Sequence, residues 1–440
     1  MGAALLGALI SFPLFTSAVA APPTDAPTPT VEPTDGTPVA AEPPQIDLVI
    51  VGPGADTYTL FGHVTLTVRD AGQPRDAAQT YNFGVTDFRT DGIVQRFATG
   101  RVDYWAEVEP YADALENWIG QDRTVVRYPL NLGAGATRRL AGRLERAVHP
   151  DHRHYVYDTF RTNCSTRVRD LLDTYTGGAV YGALGTLESG RAYRDDVRDA
   201  YAGSASLLLL SEFVAGVSMD DQRTQWELGY LPAHLERGLV TVDLPNGAPL
   251  LGAPVIDHSR AGADPREGWA YTHHAFFLFL AAMAGLLAYL APRLAPRVRG
   301  GLLLAGVVVY TTLGLLLLAL QTTSDWPDLQ RNWLLAAALP LDAFLIWPAL
   351  RLASRAEVPG RISRKYMIFR LGLTGLVVAL TPLVLAGPWA PKWAALAGLV
   401  ALWRLMGKVE KKAETAPERL YTRKTGEYPA LSRARKRRTV

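Results

Sequence analysis

The sequence predicts an exported α+β domain followed by an all-α membrane domain of several spans. The front half mixes short β-branched strands with helical runs in no regular strand–helix alternation, and the back half holds five long apolar runs. A third observation sets the orientation, because basic residues crowd the loops on one side of those runs. With 440 residues the chain has room for two or three domains. Its net charge of +3 is small, and the basic residues culminate in the tail Arg433-Ala434-Arg435-Lys436-Arg437-Arg438. Placed after membrane spans, that tail reads as a cytoplasmic membrane-surface segment rather than a nucleic-acid arm.

Residues 1–20 are apolar and end in Ala18-Val19-Ala20 before Ala21-Pro22-Pro23, the pattern of a secretory signal with a small-residue cleavage site, although no Lys or Arg precedes the apolar core. Residues 21–45, rich in Pro, Thr, Ala and acidic groups, have no apolar period and are expected to form a disordered linker. The globular domain is expected over 46–251. Residues 47–51 read as its first strand, the alternation from His63 to Val68 as the next, and 80–84 as a strand pairing with it. A short helix at 94–99, a strand at 102–108, a helix at 111–119, a strand at 124–130 and a helix at 134–148 follow. Further on, 207–210 is a buried run, 225–234 carries a Gly-Tyr-Leu-Pro turn, and 239–244 reads as a strand.

Residues 252–270, with Pro, Gly and Asp, read as a linker to a membrane domain at 271–407, and 408–440 as the basic cytoplasmic tail. About five transmembrane helices are expected, near 275–290, 302–320, 334–350, 367–386 and 393–405. With the front domain outside, the first and third spans exit into Arg293, Arg297 and Arg299 and into Arg351, Arg355, Arg361, Arg364, Lys365 and Arg370. The opposite loops carry Arg331 and Lys392, which is the positive-inside pattern.

The chemistry points to residues 153–178, which hold the one cysteine of the chain. Val168, Leu171, Leu172 and Tyr175 recur at helical spacing and Gly177-Gly178 ends the run, so Cys164 falls in the first turn of a helix that Asn163 or Thr162 can cap. Free N–H groups and the positive dipole end there favour a thiolate. A lone cysteine is more often a small buried hydrophobe. An exported chain would, however, ordinarily pair its cysteines, and His63, at the head of its strand, supplies a base. Cysteine at a helix start and histidine on a strand form the arrangement of papain-like and NlpC-like domains. Asn163 and Tyr81 are candidate oxyanion donors beside the backbone amides, and Asp158, Asp87 or Asn82 are candidates to orient His63.

Residues 60–180 resemble the extracytoplasmic domain of Lnb-type bacterial lipoprotein N-acyltransferases. The resemblance rests on Phe61-Gly62-His63, Tyr81-Asn82-Phe83-Gly84 with Asp87-Phe88, Phe97 to Gly100 with Tyr104, Gln121-Asp122-Arg123 before Leu130-Asn131-Leu132, and Tyr155-Val156-Tyr157-Asp158 leading to Asn163-Cys164-Ser165-Thr166-Arg167. It extends thinly to Leu231-Pro232 and Asn332-Trp333-Leu334-Leu335, while Asp325-Trp326-Pro327 departs from the family's pattern. The resemblance implies a multi-pass protein of the bacterial inner membrane with its catalytic domain outside. It implies that Cys164 accepts a fatty acyl chain from phospholipid as a thioester and that His63 is its base. The acceptor would be the N-terminal amine of a lipidated lipoprotein, with no cofactor, metal or nucleic acid involved. A cysteine peptidase or amidase acting on cell-wall peptides, and an anchored non-catalytic binding module, are the alternatives.

The other candidates read more plainly. His149, His152 and His154 have metal-like spacing, but Pro150, Asp151 and Arg153 favour a solvated turn. His273-His274 reads as interfacial, and Arg167 with Asp170 as a surface helix pair. Asp342, inside the third span, is expected to face protein or water and is a candidate for function.

Overall fold

The computed structural model describes residues 42–269, 271–381 and 389–407. The expected signal segment and basic tail lie outside these residues, as does nearly all of the proline-rich linker. Strand β1 (Gln45–Val51) opens the domain and pairs antiparallel with β2 (His63–Arg69), which pairs with β3 (Gln79–Val85). Helix α1 (Ile93–Thr99) leads into β4 (Asp103–Pro110), and α2 (Tyr111–Gly120) into β5 (Val125–Pro129). After α3 (Ala134–Ala147) and the short β6 (His154–Val156) comes α4 (Cys164–Tyr175). The result is a seven-stranded antiparallel sheet in the order β6-β4-β3-β2-β1-β5-β9, closed at one edge by β9 (Val255–His258). The chain is therefore an antiparallel α+β domain followed by helices.

Alternation along the strands divides the core between two faces. Leu48, Ile50, Val64, Leu66, Tyr81 and Phe83 face α3 and α4, meeting Leu140, Leu144, Val168 and Leu172. Val49, Val51 and Val125 face the other way onto Tyr111, Ala114 and Trp118 of α2. His63 is the cross-strand partner of Val51, so it belongs to the α2 face, opposite the helix that carries Cys164.

The rest of the domain is helical: α5 (Ala179–Leu184), α6 (Tyr193–Tyr201), α7 (Ala205–Val214), α8 (Gln225–Leu228) and α9 (Pro232–Leu239), with a small hairpin of β7 (Glu188–Ala192) and β8 (Gln222–Thr224). Two expectations are corrected here. Residues 239–244 form the end of α9 and a turn, because the antiparallel bridge from Asp243 to Pro249 closes a tight loop instead of extending a strand. The stretch read as a linker from 252 contributes β9, whose Asp257 joins Arg127 and Asp47 in a buried ion network across three strands.

In the back half α10 (Thr272–Leu290), α11 (Pro296–Thr323), α12 (Leu334–Ala337), α13 (Ile346–Arg355), α14 (Arg361–Leu380) and α15 (Trp389–Leu405) pack together. Among the described residues three stretches, Thr272–Arg293, Pro296–Thr323 and Pro327–Arg355, are long and apolar enough to cross a membrane, against the five expected, the fourth of which runs beyond the described residues after 381. Of the other two, α14 opens on Arg361, Arg364 and Lys365, and α15 has 17 residues. The third crossing stretch is broken between α12 and α13. Pro340 has no N–H and frees the carbonyl four residues back, and the Arg370 guanidinium fills that gap with bonds of 2.5 Å to Ala336 O and 2.6 Å to Ala337 O. Arg370 also holds Asp342 through contacts of 2.7 and 2.9 Å, so it is a buried member of α14 and not the loop cation expected from sequence. Asp342, a candidate for function by sequence, is thereby a neutralised structural partner.

Candidate functional site

Cys164 is the first residue of α4, and the chain just before it explains why the helix starts there. Asn163 Oδ1 accepts from Thr166 N at 2.9 Å while Asn163 N donates to Thr166 Oγ1 at 2.8 Å, a reciprocal capping box. The Asn163 amide also donates to Thr159 O and Tyr230 O at 2.8 and 2.9 Å. Both of its hydrogens are thus engaged, and Asn163 has none left for an oxyanion. Asp158, the other supporting candidate, shapes the preceding turn by accepting from Phe160 N and Arg161 N at 2.9 and 3.0 Å. Tyr81 lies in the core, with Asp70 and Glu145 as its charged neighbours, toward the end of β2 away from His63.

His63 is held by the neighbouring strand. Its Nε2 lies 2.9 Å from Asn82 Oδ1, and that oxygen also accepts from Gly84 N at 2.9 Å. Because Oδ1 only accepts, Nε2 carries the hydrogen and Nδ1 is left as the basic nitrogen. Gly84 matters for a steric reason: a Cβ there would lie 2.8 Å from His63 Cε1 and 3.3 Å from Nδ1. Asn82, one of three residues the sequence offered for orienting His63, is the one that contacts it. Asp87 instead caps its own turn through Arg89 N.

Helix α4 packs on β2, and the amide of Val64, next in chain to His63, acts on the Cys164 sulfur. Cys164 lies on the α4 face of the sheet and His63 on the α2 face, and Val64 is the strand residue whose amide acts on the sulfur. Burial pushes the Cys164 thiol above its usual range, outweighing the N–H groups of Val64, Ser165 and Cys164 that pull it down. The thiolate expected at a helix start is therefore not the favoured resting form. Burial, with the nearby positive charge of Arg123, lowers His63 to about 4, which keeps its imidazole neutral and able to accept a proton at pH 7. At rest the two groups are a thiol and a neutral imidazole.

Residues that sequence reasoning left without roles line this end of the sheet. Tyr104, Tyr155 and Tyr157 all respond to charge on Cys164. Tyr104 stacks on Tyr157 at 4.2 Å between centroids, and Tyr155 hydrogen-bonds through its hydroxyl to Phe83 O. Arg167, read as the partner of Asp170, instead lies 4.4 Å over the Tyr155 ring, and Asp170 pairs with Arg169 at 2.8 Å. The alternating Tyr155-Val156-Tyr157 was the available signal, since it places both rings on one side of a strand.

The loop following α11 reaches this site. Asp328, 3% exposed, receives Arg161 through contacts of 2.6 and 3.2 Å, three residues before Cys164. Ser218 Oγ and Gly216 N bond to the same residue at 3.1 and 2.7 Å. Asp325 N bonds to Thr99 O at 2.9 Å and its carboxylate to Arg101 at 2.7 Å. Gly100, in the left-handed region at φ +73°, lets Trp326 pack on bare backbone, where a Cβ would lie 2.1 Å from Cδ1. The segment that departs from the family pattern, 325–327, is thus the one seated on α1. His154, of the histidine cluster, pairs with Asp103 at 2.7 Å on an exposed edge.

Residues 39–196 match the family model of the Lnb N-terminal periplasmic domain. No curated protein and no solved structure matches the chain.

Proposed function

Starting from a chain that carries an Lnb-type periplasmic domain at 39–196 ahead of three helical stretches, among the described residues, able to cross a membrane, and is therefore a membrane protein with an extracytoplasmic domain, we propose that it is a cysteine-dependent acyltransferase of the bacterial inner membrane. The acyl donor is phospholipid and the acceptor the N-terminal amine of a lipidated lipoprotein. The observation that carries this reading is the clamp of the α11–α12 loop on the Cys164 turn through Asp328 and Arg161, which ties the thiol to the membrane-side helices. A peptidase acting on soluble cell-wall peptides has no use for such a tether.

In this mechanism His63 Nδ1 takes the thiol proton as Cys164 Sγ attacks the ester carbonyl carbon. The N–H groups at the start of α4, with that of Val64, face the charge that develops. The carbon–oxygen bond to glycerol breaks, the alcohol leaves with the proton held by His63, and a thioester remains. The acceptor amine then attacks, the carbon–sulfur bond breaks, and the amine's proton returns through His63 to the thiolate. The chain's own residues supply every proton transfer.

Intact mass spectrometry of the full-length protein incubated with phospholipid vesicles tests this. The expected result is a hydroxylamine-labile gain of one acyl group in the wild type, absent from Cys164→Ser and His63→Ala. No adduct on a Cys164 that still reacts with a thiol reagent would overturn the acyl-donor reading.

A further inference from the structure

Arg123 stands just before β5, beside the end of β1 whose last residue pairs with His63. It is 4% exposed. Its Nε donates to Gly52 O at 2.8 Å, and Gly52 follows Val51, the cross-strand partner of His63. Nη1 reaches Gln121 Oε1 at 3.5 Å, while Nη2 is buried without a hydrogen-bond partner among the described residues. Other buried guanidinium groups of the domain are compensated: Arg127 by Asp47 and Asp257, Arg169 by Asp170, Arg194 by Asp220. Among the described residues no carboxylate forms an ion pair with Arg123. A buried cation lacking a counter-charge is costly, and a negative charge appearing beside it relieves that cost.

We propose that Arg123 is a positioning residue whose uncompensated charge stabilises the Cys164 thiolate as its proton leaves and holds His63 in its unprotonated form. This rests on reading Cys164 as the nucleophile. The electrostatics agree with the placement. Burial pulls Arg123 down to about 10, and negative charge on Cys164 is the largest influence opposing that. The other groups facing the sulfur are Tyr104 on β4, Tyr155 on β6 and Tyr157 beyond it, with Arg167 covering the Tyr155 ring. Arg260 and Tyr58 face Arg123 itself. No carboxylate appears among these neighbours, so Arg123 and Arg167 are the cations available to a thiolate there.

The test is the pH profile of Cys164 alkylation by iodoacetamide in the full-length, nanodisc-embedded protein, where the chain's single cysteine makes the signal unambiguous. Arg123→Gln is expected to move the apparent thiol pKa up by about one unit and to slow alkylation at pH 7 about tenfold. Arg123→Lys, which keeps the charge, should recover most of that loss. Arg123→Met is a second neutral variant that buries no unpaired amide, and a melting curve checks that each variant is folded. A neutral variant that folds and keeps the wild-type profile overturns the proposal, as does a lysine variant no faster than glutamine. Shifted profiles without any acyl adduct would leave this inference standing and remove the acyl-transfer reading, whereas an adduct with unshifted profiles does the reverse.

Discussion

Two residues of one strand serve the His63 imidazole, Asn82 by accepting its hydrogen and Gly84 by leaving room for the ring. Asn82→Ala removes the acceptor that fixes the tautomer, and Gly84→Ala inserts a methyl group 2.8 Å from Cε1. Each is expected to slow thioester formation by about ten- to a hundredfold, within the range general-base catalysis supplies, while leaving the melting temperature within a few degrees of wild type. The pH dependence of stability follows from the same site. An unfolded chain protonates His63 near 6.5 and the folded protein only near 4, so the folded state binds fewer protons between those values. Stability from this residue is therefore lost as pH falls from 6.5 toward 4. His63→Gln cannot protonate, so its thermal stability relative to wild type should rise on acidification through that window. An unchanged difference would mean that His63 titrates at its ordinary value in the fold.

The turn before Cys164 is an element whose order is supplied from outside itself. Asp158 organises it locally, and Asp328 holds Arg161 from the α11–α12 loop. The Arg161 side chain is 39% exposed, so the pair is worth less than a fully buried one, but Asp328 has Ser218 and Gly216 as further partners. Asp328→Ala is expected to destabilise the domain by about 1–3 kcal/mol. Hydrogen exchange over 158–162 should also accelerate, with protection in the β1–β2 pairing unchanged. Protection retained in that turn would show that Asp158 suffices alone. The α1 end of the same loop should respond to Gly100→Ala, which places a methyl group against Trp326 and strains a left-handed residue.

Across the whole molecule, the helical half is held by a buried ion pair at a proline break. Arg370 is fully buried and neutralises Asp342, which also accepts from Tyr366 at 2.8 Å. Arg370→Leu leaves an unpaired carboxylate and two uncapped carbonyls, and is expected to cost about 3–5 kcal/mol in thermal or denaturant unfolding of the detergent-solubilised protein. Loss of that order would also loosen the α11–α12 loop, because the break lies directly downstream of it. A melt within experimental error of wild type would mean that the pair contributes nothing net.

The sequence by itself determined the strands from β1 to β5, the helices from α1 to α4, and Cys164 at the head of its helix, because these depend on local period, capping chemistry and turn residues. The membrane half was legible as apolar runs. Local signals could not yield β9 or the hairpin of β7 and β8, since short edge strands are defined by the partner they pair with. Tertiary structure alone decided that Asn82 holds His63, that Arg123 lacks a counter-charge, that Arg370 caps a broken helix, and that the loop at 325–332 grips the Cys164 turn. Each joins residues far apart in the chain, and no period or propensity encodes which distant group will satisfy a buried charge or amide. The thiol's resting state was decided in the same way. The helix start favours a thiolate, but packing against β2 and the tyrosines buries the sulfur, and burial prevails.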